Sequence, residues 1–397
     1  MASGETELLA PPRPAANDDA GRRPGGGGSE AKVSLVRNLL CLNGLAVLAA
    51  VLNHAQSWGF TAMVFWTDRY RPVQVPNFDQ LGSTSYFALN GIAGGISFAI
   101  PSFLFITGVF TAIATDRSRA TISWRTVYAR VKFLLVPYLF WCGVALAGLL
   151  VEGKRYDFPT YIAMVLTGKV RGPYYYVPLL IQFYILSFLI VPLARTHWKA
   201  LLLSSAAVQL LVQSPFYLKM YGVGSGTISL EGLPQWFFLT RAFWFVLGAV
   251  AGCRLARFHT QVRRYRFWAL GAGLPLLLVA VLERDWIFRH RVSVPIETLI
   301  GGLYALCVIV AVLVFAGRRS GNGWLERVGS RSFGIYLVHV PVQIYTARIV
   351  YHLFPALLGY PVLFAAFIFA FGLLVPLCLI RLVEGSLARP ASRYIFG

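Results

Sequence analysis

One histidine stands near the end of an almost uninterrupted apolar run in "GLAVLAAVLNHAQSWGF", residues 44–60. The imidazole of this residue, His54, can accept a proton near neutral pH, so it could act as a general base. An ionisable side chain inside an apolar segment is costly unless it faces other helices or a water-filled cavity, which favours a functional role. The alternative is a neutral histidine that hydrogen-bonds a neighbouring helix, and these residues alone leave both interpretations open.

A second candidate is Arg241, the one arginine inside an apolar run, in "FFLTRAFWFVLG". A guanidinium flanked by aromatic residues fits an anionic or sugar substrate in a cavity, although a long side chain near a span end can also extend to the membrane interface. The segment "GPYYYVPLLIQFY", residues 172–184, adds Tyr175 and Gln182 as candidates for substrate binding. Tyrosines here could stack on a sugar or form the aromatic belt of a membrane protein.

The elements that must position these residues are long and apolar. Only 13% of the 397 residues are charged and 57% are hydrophobic, which is far from the composition of a soluble domain. Apolar runs of about 18 to 24 residues, the length that a helix needs to cross a bilayer, recur along the chain. We therefore predict an all-α, polytopic membrane protein of about ten transmembrane helices. The predicted spans lie near residues 39–58, 91–114, 131–151, 174–194, 199–216, 236–256, 266–283, 296–316, 332–350 and 358–380.

The net charge of +20 does not indicate nucleic-acid binding, because the basic residues stand between apolar runs rather than along one soluble face. Lysine and arginine are more frequent in alternate connecting segments, and this bias predicts that both termini are cytoplasmic in a multi-pass protein of the cell membrane. Residues 1–34 are predicted to be a disordered cytoplasmic tail, residues 35–385 the transmembrane domain, and residues 386–397 a short cytoplasmic C-terminal tail. The cysteines all lie in apolar runs without CxxC spacing, so neither a disulfide framework nor a metal site is predicted.

Four segments resemble, in order, the integral-membrane acyltransferase-3 family. "LNGLAVLAAVLNH", which follows Arg37, resembles the family's first transmembrane helix, and "IPSFLFITGVF" at 100–110 is similar to its second. "YARVKFLLVPYLFW" at 128–141 resembles its basic stretch before a Pro-Tyr helix, and "VGSRSFGIYLVHVPV" at 328–342 resembles its late Ser-Phe, Tyr-Leu-x-His signature. The resemblance covers about residues 35–385 and identifies this region as an acyltransferase-like domain.

The resemblance implies roles for particular residues. His54 would be the catalytic general base, and His339 in "GIYLVHVPV" becomes a further candidate that could equally be structural. Arg130 and Lys132 would hold the phosphates of an acyl-CoA donor, although basic residues at a cytoplasmic helix end also anchor topology. Family members typically place a basic residue eleven positions before the histidine, where this chain has Asn43, which can hydrogen-bond the donor but brings no charge.

The function implied by the resemblance is membrane O-acylation, such as the O-acetylation of a polysaccharide. An acetyl or other short acyl group would pass from cytoplasmic acyl-CoA to a hydroxyl of an extracytoplasmic glycan or glycolipid. The expected partners are acyl-CoA, this acceptor, the lipid bilayer and an extracytoplasmic partner enzyme to which the acyl group could be handed; no bound cofactor is expected. Two alternatives stay open, namely a transporter or flippase for a glycolipid or small molecule, and a non-catalytic member of the family.

Overall fold

The computed structural model describes residues 26–115, 122–222, 233–292, 296–315 and 323–397, with side chains from residue 34 onward. These ranges form α-helices and short 3-10 helices and contain no β-strand. The α-helices are α1 Gly26–Val64, α2 Thr84–Gly95, α3 Ala99–Ile113, α4 Trp124–Val151, α5 Phe158–Thr167, α6 Tyr176–Thr196, α7 Trp198–Met220, α8 Ala242–Cys253, α9 Leu255–Arg264, α10 Arg266–Arg289, α11 Leu299–Phe315, α12 Gly323–Ser330, α13 Ser332–Leu353, α14 Pro361–Glu384 and α15 Ser392–Ile395.

The all-α membrane architecture predicted from the apolar runs is confirmed. Within the described ranges, eight spans are long and apolar enough to cross a membrane, and a bent pair that includes α8 and α9 can supply a ninth. The apolar helix α11, 17 residues long, corresponds to the predicted span at 296–316. The first span is longer than predicted, because α1 begins at Gly26 and continues to Val64. Residues 1–25 of the predicted tail lie outside the described residues.

Helix α1 is the central element of the bundle. It contacts α2, α3, α11, α12, α13 and α14. Leu42, Ala46 and Val51 are fully buried at these contacts, and the small side chains of this helix let its neighbours approach closely. Because α1 carries His54, these contacts fix the position of that histidine within the bundle.

Helices α3 and α8 pack almost backbone to backbone. A Cβ atom added to Gly108 would collide with the carbonyl oxygen of Phe245, and one added to Gly248 would collide with that of Phe105. Lipid tails are as apolar as the helices, so helix association in a membrane depends on such close van der Waals packing. The contact fixes the start of α8, and with it Arg241, which directly precedes α8.

Two predicted spans are interrupted where they border a large cavity. The span predicted at 91–114 consists of α2 and α3 with a break between them, and the span predicted at 236–256 starts with the 3-10 helix Phe238–Arg241. Beyond α8 the chain bends by 111° into α9. Irregular backbone within a membrane is tolerated where it is buried in protein or lines a water-filled cavity, which explains the location of the first two interruptions.

An ion cluster joins the end of α4 to two other parts of the bundle. Glu152, whose side chain is 5% exposed, pairs with Arg171 at 3.1 Å, with Arg348 of α13 at 3.0 Å and with Lys154 at 3.8 Å. Burial disfavours the charge of this carboxylate, but the hydrogen bond and charge of Arg171, aided by Arg348 and Lys154, outweigh burial and hold the pKa of Glu152 below its usual range. The cluster therefore connects α4, the segment before α6, and α13.

Replacing Glu152 with Gln should lower the midpoint of thermal unfolding in detergent at pH 7, because Arg171 loses a charge-assisted hydrogen bond worth about 1.5–3 kcal/mol. Because the pKa of Glu152 is lowered in the folded state, its charge stabilises the fold at neutral pH. This stabilisation disappears as the pH falls below the ordinary glutamate value of 4.5. The difference between variant and wild type should therefore shrink when unfolding is followed at about pH 3.5.

The matched control is Asp157→Asn in the same connecting segment. Its carboxylate accepts a hydrogen bond from Thr160 and pairs with no basic side chain of the described residues. We expect a clearly smaller change from this control at neutral pH. A difference for Glu152→Gln that stays constant from neutral to acid pH would contradict a stabilising role of the Glu152 charge.

Candidate active site

A cavity of about 720 Å³ lies in the half of the bundle nearer the connection between α1 and α2. Its walls come from α1, the break between α2 and α3, residues 172–175, the start of α8, α10 and residues 296–301. This volume is in the range of small-molecule binding sites. The polar and charged residues on its walls are Asn53, His54, Gln56, Ser57, Thr61, Ser97, Tyr175, Gln235, Arg241, Glu283, Arg284, Glu297 and Thr298.

His54 faces this cavity and is half-buried. Its ring stacks on the ring of His339 with centroids 5.4 Å apart and an interplanar angle of 29°. No hydrogen bond joins the His54 ring to another of the described residues, so the alternative of a histidine bonded to a neighbouring helix has no support here. The ring nitrogens of His54 are thus available to a molecule in the cavity.

His339 is the residue on which the His54 ring stacks. Its side chain is fully buried, and its Nδ1 lies 3.2 Å from the carbonyl oxygen of Ile335 one turn earlier on α13. A carbonyl can only accept, so Nδ1 carries the proton of this hydrogen bond. His339 does not line the cavity, although the structure brings it into contact with the residue that does.

Arg241 and Tyr175 meet on the cavity wall. Arg241 is 6% exposed, and its guanidinium donates to the Tyr175 hydroxyl at 2.7 Å and to the carbonyl oxygen of Ile296 at 3.0 Å. Its Nε is buried and has no hydrogen-bond partner among the described residues. Nearby, Trp244 Nε1 donates to both carboxylate oxygens of Glu297 at 2.9 and 3.0 Å. The arginine therefore points into the protein and does not extend to a membrane interface.

Gln182 is not part of the cavity wall. Its Nε2 donates to the carbonyl oxygen of Trp236 at 2.6 Å, and its Oε1 accepts a hydrogen bond from the Phe238 backbone at 3.3 Å. Both contacts hold the 3-10 helix that ends at Arg241. These bonds place Gln182 beside the chain that carries Arg241, and its role in substrate binding stays a prediction.

The three predicted donor-binding residues also lie away from the cavity. Asn43 donates to the carbonyl oxygen of Gly329 and to the hydroxyl of Ser332, both at 2.7 Å, and so connects α1 to α12 and α13. Arg130 donates to the Thr111 hydroxyl at 2.6 Å near the end of α3, while Lys132 is exposed. The structure brings none of these three to His54, and their role in donor binding stays a prediction.

Charged cavity residues on α10 and before α11 were missed by the sequence analysis. Glu283 accepts a hydrogen bond from the Tyr217 hydroxyl at 2.7 Å, and Arg284 and Glu297 also line the cavity. They stand at or beside the ends of predicted spans, where charged residues usually mark the membrane boundary. With Arg241, the described part of the cavity wall carries two arginines and two glutamates, so the formal charges of these four residues balance.

A second cavity, of about 250 Å³, also contacts His54. The two cavities share His54, Ser57, Thr61, Gly172 and Pro173, and the second is completed by Trp58 of α1 and by Val340, Gln343 and Ile344 of α13. His54 therefore lines both of these adjoining cavities. Among the described residues, no group of His, Cys, Asp and Glu is arranged to hold a metal ion.

The sequence was also compared with known proteins. The sequence model of the acyltransferase-3 family, described as "Acyltransferase domain", matches residues 40–381. The chain belongs to this family. The match includes both cavities and confirms the family that the four sequence segments indicated, so the protein is a membrane enzyme of a family that transfers acyl groups other than amino-acyl groups. Neither the curated proteins nor the solved structures contain a significant match.

The two stacked histidines should differ in reactivity toward diethyl pyrocarbonate, which modifies accessible imidazoles. We expect His54, on a cavity wall, to be modified in the native protein, and the fully buried His339 to be protected. Peptide mass spectrometry after brief labelling would measure both, with the exposed His197 and His352 as positive controls. Equal protection of His54 and His339 would contradict an accessible cavity at His54.

Proposed function

We propose that the protein is an O-acyltransferase of the cell membrane that moves a short acyl group from cytoplasmic acyl-CoA to a hydroxyl of an extracytoplasmic glycan or glycolipid. The observation that carries this proposal is the placement of His54, which lacks a hydrogen bond to the described residues and stands at the junction of two cavities. The family match supports the acyl transfer, and the positive-inside bias of the sequence supports cytoplasmic termini.

His54 would act as the general base. A hydroxyl is a weak nucleophile, and a neutral imidazole within hydrogen-bond distance can remove its proton as the oxygen attacks the thioester carbonyl. The new ester bond forms as the carbon–sulfur bond breaks, and the imidazolium can return the proton to the departing thiolate of CoA. Stacking on His339 would keep the His54 ring in one orientation during both proton transfers.

The large cavity suits a polyhydroxylated acceptor. Its wall combines the balanced charges of Arg241, Arg284, Glu283 and Glu297 with amide side chains such as Gln235. Such groups can donate to and accept from sugar hydroxyls, whereas a site for a strongly anionic ligand would carry an excess of basic residues. Tyr175 adds an aromatic ring beside Arg241, a surface on which a sugar ring could stack.

The donor would approach from the other half of the bundle. Arg130 and Lys132 lie near the N-terminal end of α4, and Asn43 lies three turns before His54 on α1. Arginine and lysine would pair with the CoA phosphates, and the Asn43 amide would supply a neutral hydrogen bond where other members have a charge. The absence of that charge at Asn43 keeps a non-catalytic protein as the competing hypothesis for this family member.

His54→Ala should reduce acyl transfer by about 10² to 10⁴, the usual effect of losing a general base, while acyl-CoA binding stays close to that of the wild type. The measurement uses the purified full chain in lipid nanodiscs with radiolabelled acetyl-CoA and follows labelled product and free CoA. His352→Ala, which removes an exposed histidine, is the matched control and should remain active.

Normal turnover by a well-folded His54→Ala variant would remove the general base from this mechanism. Wild-type protein that binds acetyl-CoA without releasing CoA would instead support the non-catalytic alternative. Movement of a labelled glycolipid across the membrane without any release of CoA would support the transporter alternative.

Arg130→Ala should weaken acyl-CoA binding by roughly 10- to 150-fold, because one charge-assisted contact with a phosphate is worth about 1.5–3 kcal/mol. Binding can be measured with labelled acetyl-CoA, and thermal unfolding should be checked because Arg130 also donates to Thr111. The control is Arg257→Ala on α9, an exposed arginine outside the predicted donor site. Unchanged affinity in a folded Arg130→Ala variant would limit this arginine to its contacts with α3.

A further inference from the structure

Two cavities with different linings meet at His54, and an acyl transfer has two ligands to accommodate. We propose that the second cavity, of about 250 Å³, holds the acyl chain of the donor and determines which chain lengths are transferred. This inference rests on the proposed acyltransferase function and adds the site that would select the acyl group.

The side chains that complete the second cavity are mainly apolar. Trp58, Val340 and Ile344 face Gly172 and Pro173 across it. Trp58 packs against Trp66 with ring centroids 5.3 Å apart, which fixes its position. This lining offers an alkyl chain an environment free of charged side chains.

Apart from His54, the polar side chains of the second cavity donate hydrogen bonds to backbone carbonyls. Ser57 donates to Asn53 at 2.9 Å, Thr61 donates to Ser57 at 3.0 Å, and Gln343 donates to Val51 at 2.9 Å. These bonds use the hydroxyl hydrogens of Ser57 and Thr61 and one amide hydrogen of Gln343, whose buried Oε1 has no partner among the described residues. The second cavity thus presents mostly carbon atoms to its contents.

The large cavity has the opposite character, because four charged side chains and several amides line it. Transfer of an alkyl chain from water is favourable only into an apolar site, while sugar hydroxyls must keep hydrogen-bond partners. The acyl chain and the acceptor would therefore separate into the two cavities. The reacting carbonyl would lie at their junction, next to the His54 imidazole that both cavities share.

The second cavity is larger than an acetyl group needs. Its volume equals that of about eight water molecules at roughly 30 Å³ each. An acetyl group places only one methyl there, so a chain of several carbons has room. Ile344 lies one turn after Val340 on α13, and it is half-buried, so its substitution can change the cavity with little disturbance of the core.

The test changes the size of residue 344 in both directions. Ile344→Phe should lower kcat/KM for hexanoyl-CoA at least tenfold relative to acetyl-CoA, since a pocket discriminates by about 10- to 200-fold per methylene. Ile344→Ala should shift the preference toward longer chains. The purified full chain in nanodiscs is given acetyl-, butyryl-, hexanoyl- and octanoyl-CoA, and release of the CoA thiol is followed.

The matched controls are Ile349→Phe and Ile349→Ala on the same helix, where the side chain is 53% exposed and lies outside the cavity. These should leave the chain-length profile unchanged. Turnover with profiles that are identical for wild type and both Ile344 variants would overturn the acyl-chain site while leaving the acyltransferase function intact.

Equilibrium binding of the same acyl-CoA series provides the second readout. In the wild type, we expect the affinity to rise by roughly fourfold for each added methylene. Loss of this trend in Ile344→Phe supports the acyl-chain site. If that result is obtained without any turnover, the acyl-chain site stands and only the proposed activity fails. Affinity that is independent of chain length in the wild type overturns the acyl-chain site.

Discussion

The hydrocarbon core of a bilayer offers no hydrogen bonds, and this constraint determines where the polar groups of the protein can lie. Arg241, Glu283 and Glu297 are tolerated inside an apolar bundle because each has a hydrogen-bond partner in the protein and all three line one cavity. The broken backbone between α2 and α3 and before α8 borders the same space. Several charged side chains, irregular backbone and the candidate base are thus collected around one cavity.

The stability of the cavity walls then depends on close packing between helices, because the membrane supplies no hydrophobic driving force between them. In lipid, helices gain stability from close contact, and the paired glycines of α3 and α8 bring the two backbones together. The Glu152 cluster adds an electrostatic connection between α4, the segment at Arg171 and α13. Because α3 and α13 both pack against α1, the geometry at the histidine depends on contacts elsewhere in the bundle and not on α1 alone.

The sequence predicted the features that depend on composition along the chain. The all-α membrane architecture followed from apolar runs, and the cavity positions of His54 and Arg241 agree with the rule that an ionisable group within a span faces the protein interior. Contacts between distant segments were not predictable in this way. The stacking of His54 on His339 and the contacts of Gln182 with the chain before α8 require knowledge of which helices are neighbours. Glu297 and Arg284 were missed because charged residues at span ends usually mark the interface, so their position in the sequence did not distinguish a boundary from a cavity wall.

Among the described residues, the two cavities share three side chains of α1 and, besides these, Gly172 and Pro173, so this second part of their common wall consists of backbone and a proline ring. The remaining walls are independent, because α13 borders the small cavity and α10 borders the large one. Substitutions of Val340 or Ile344 on α13 change the lining of the small cavity alone, and substitutions of Glu283 or Arg284 on α10 change that of the large one alone. A bundle built in this way allows the linings of two cavities to evolve separately around an unchanged histidine.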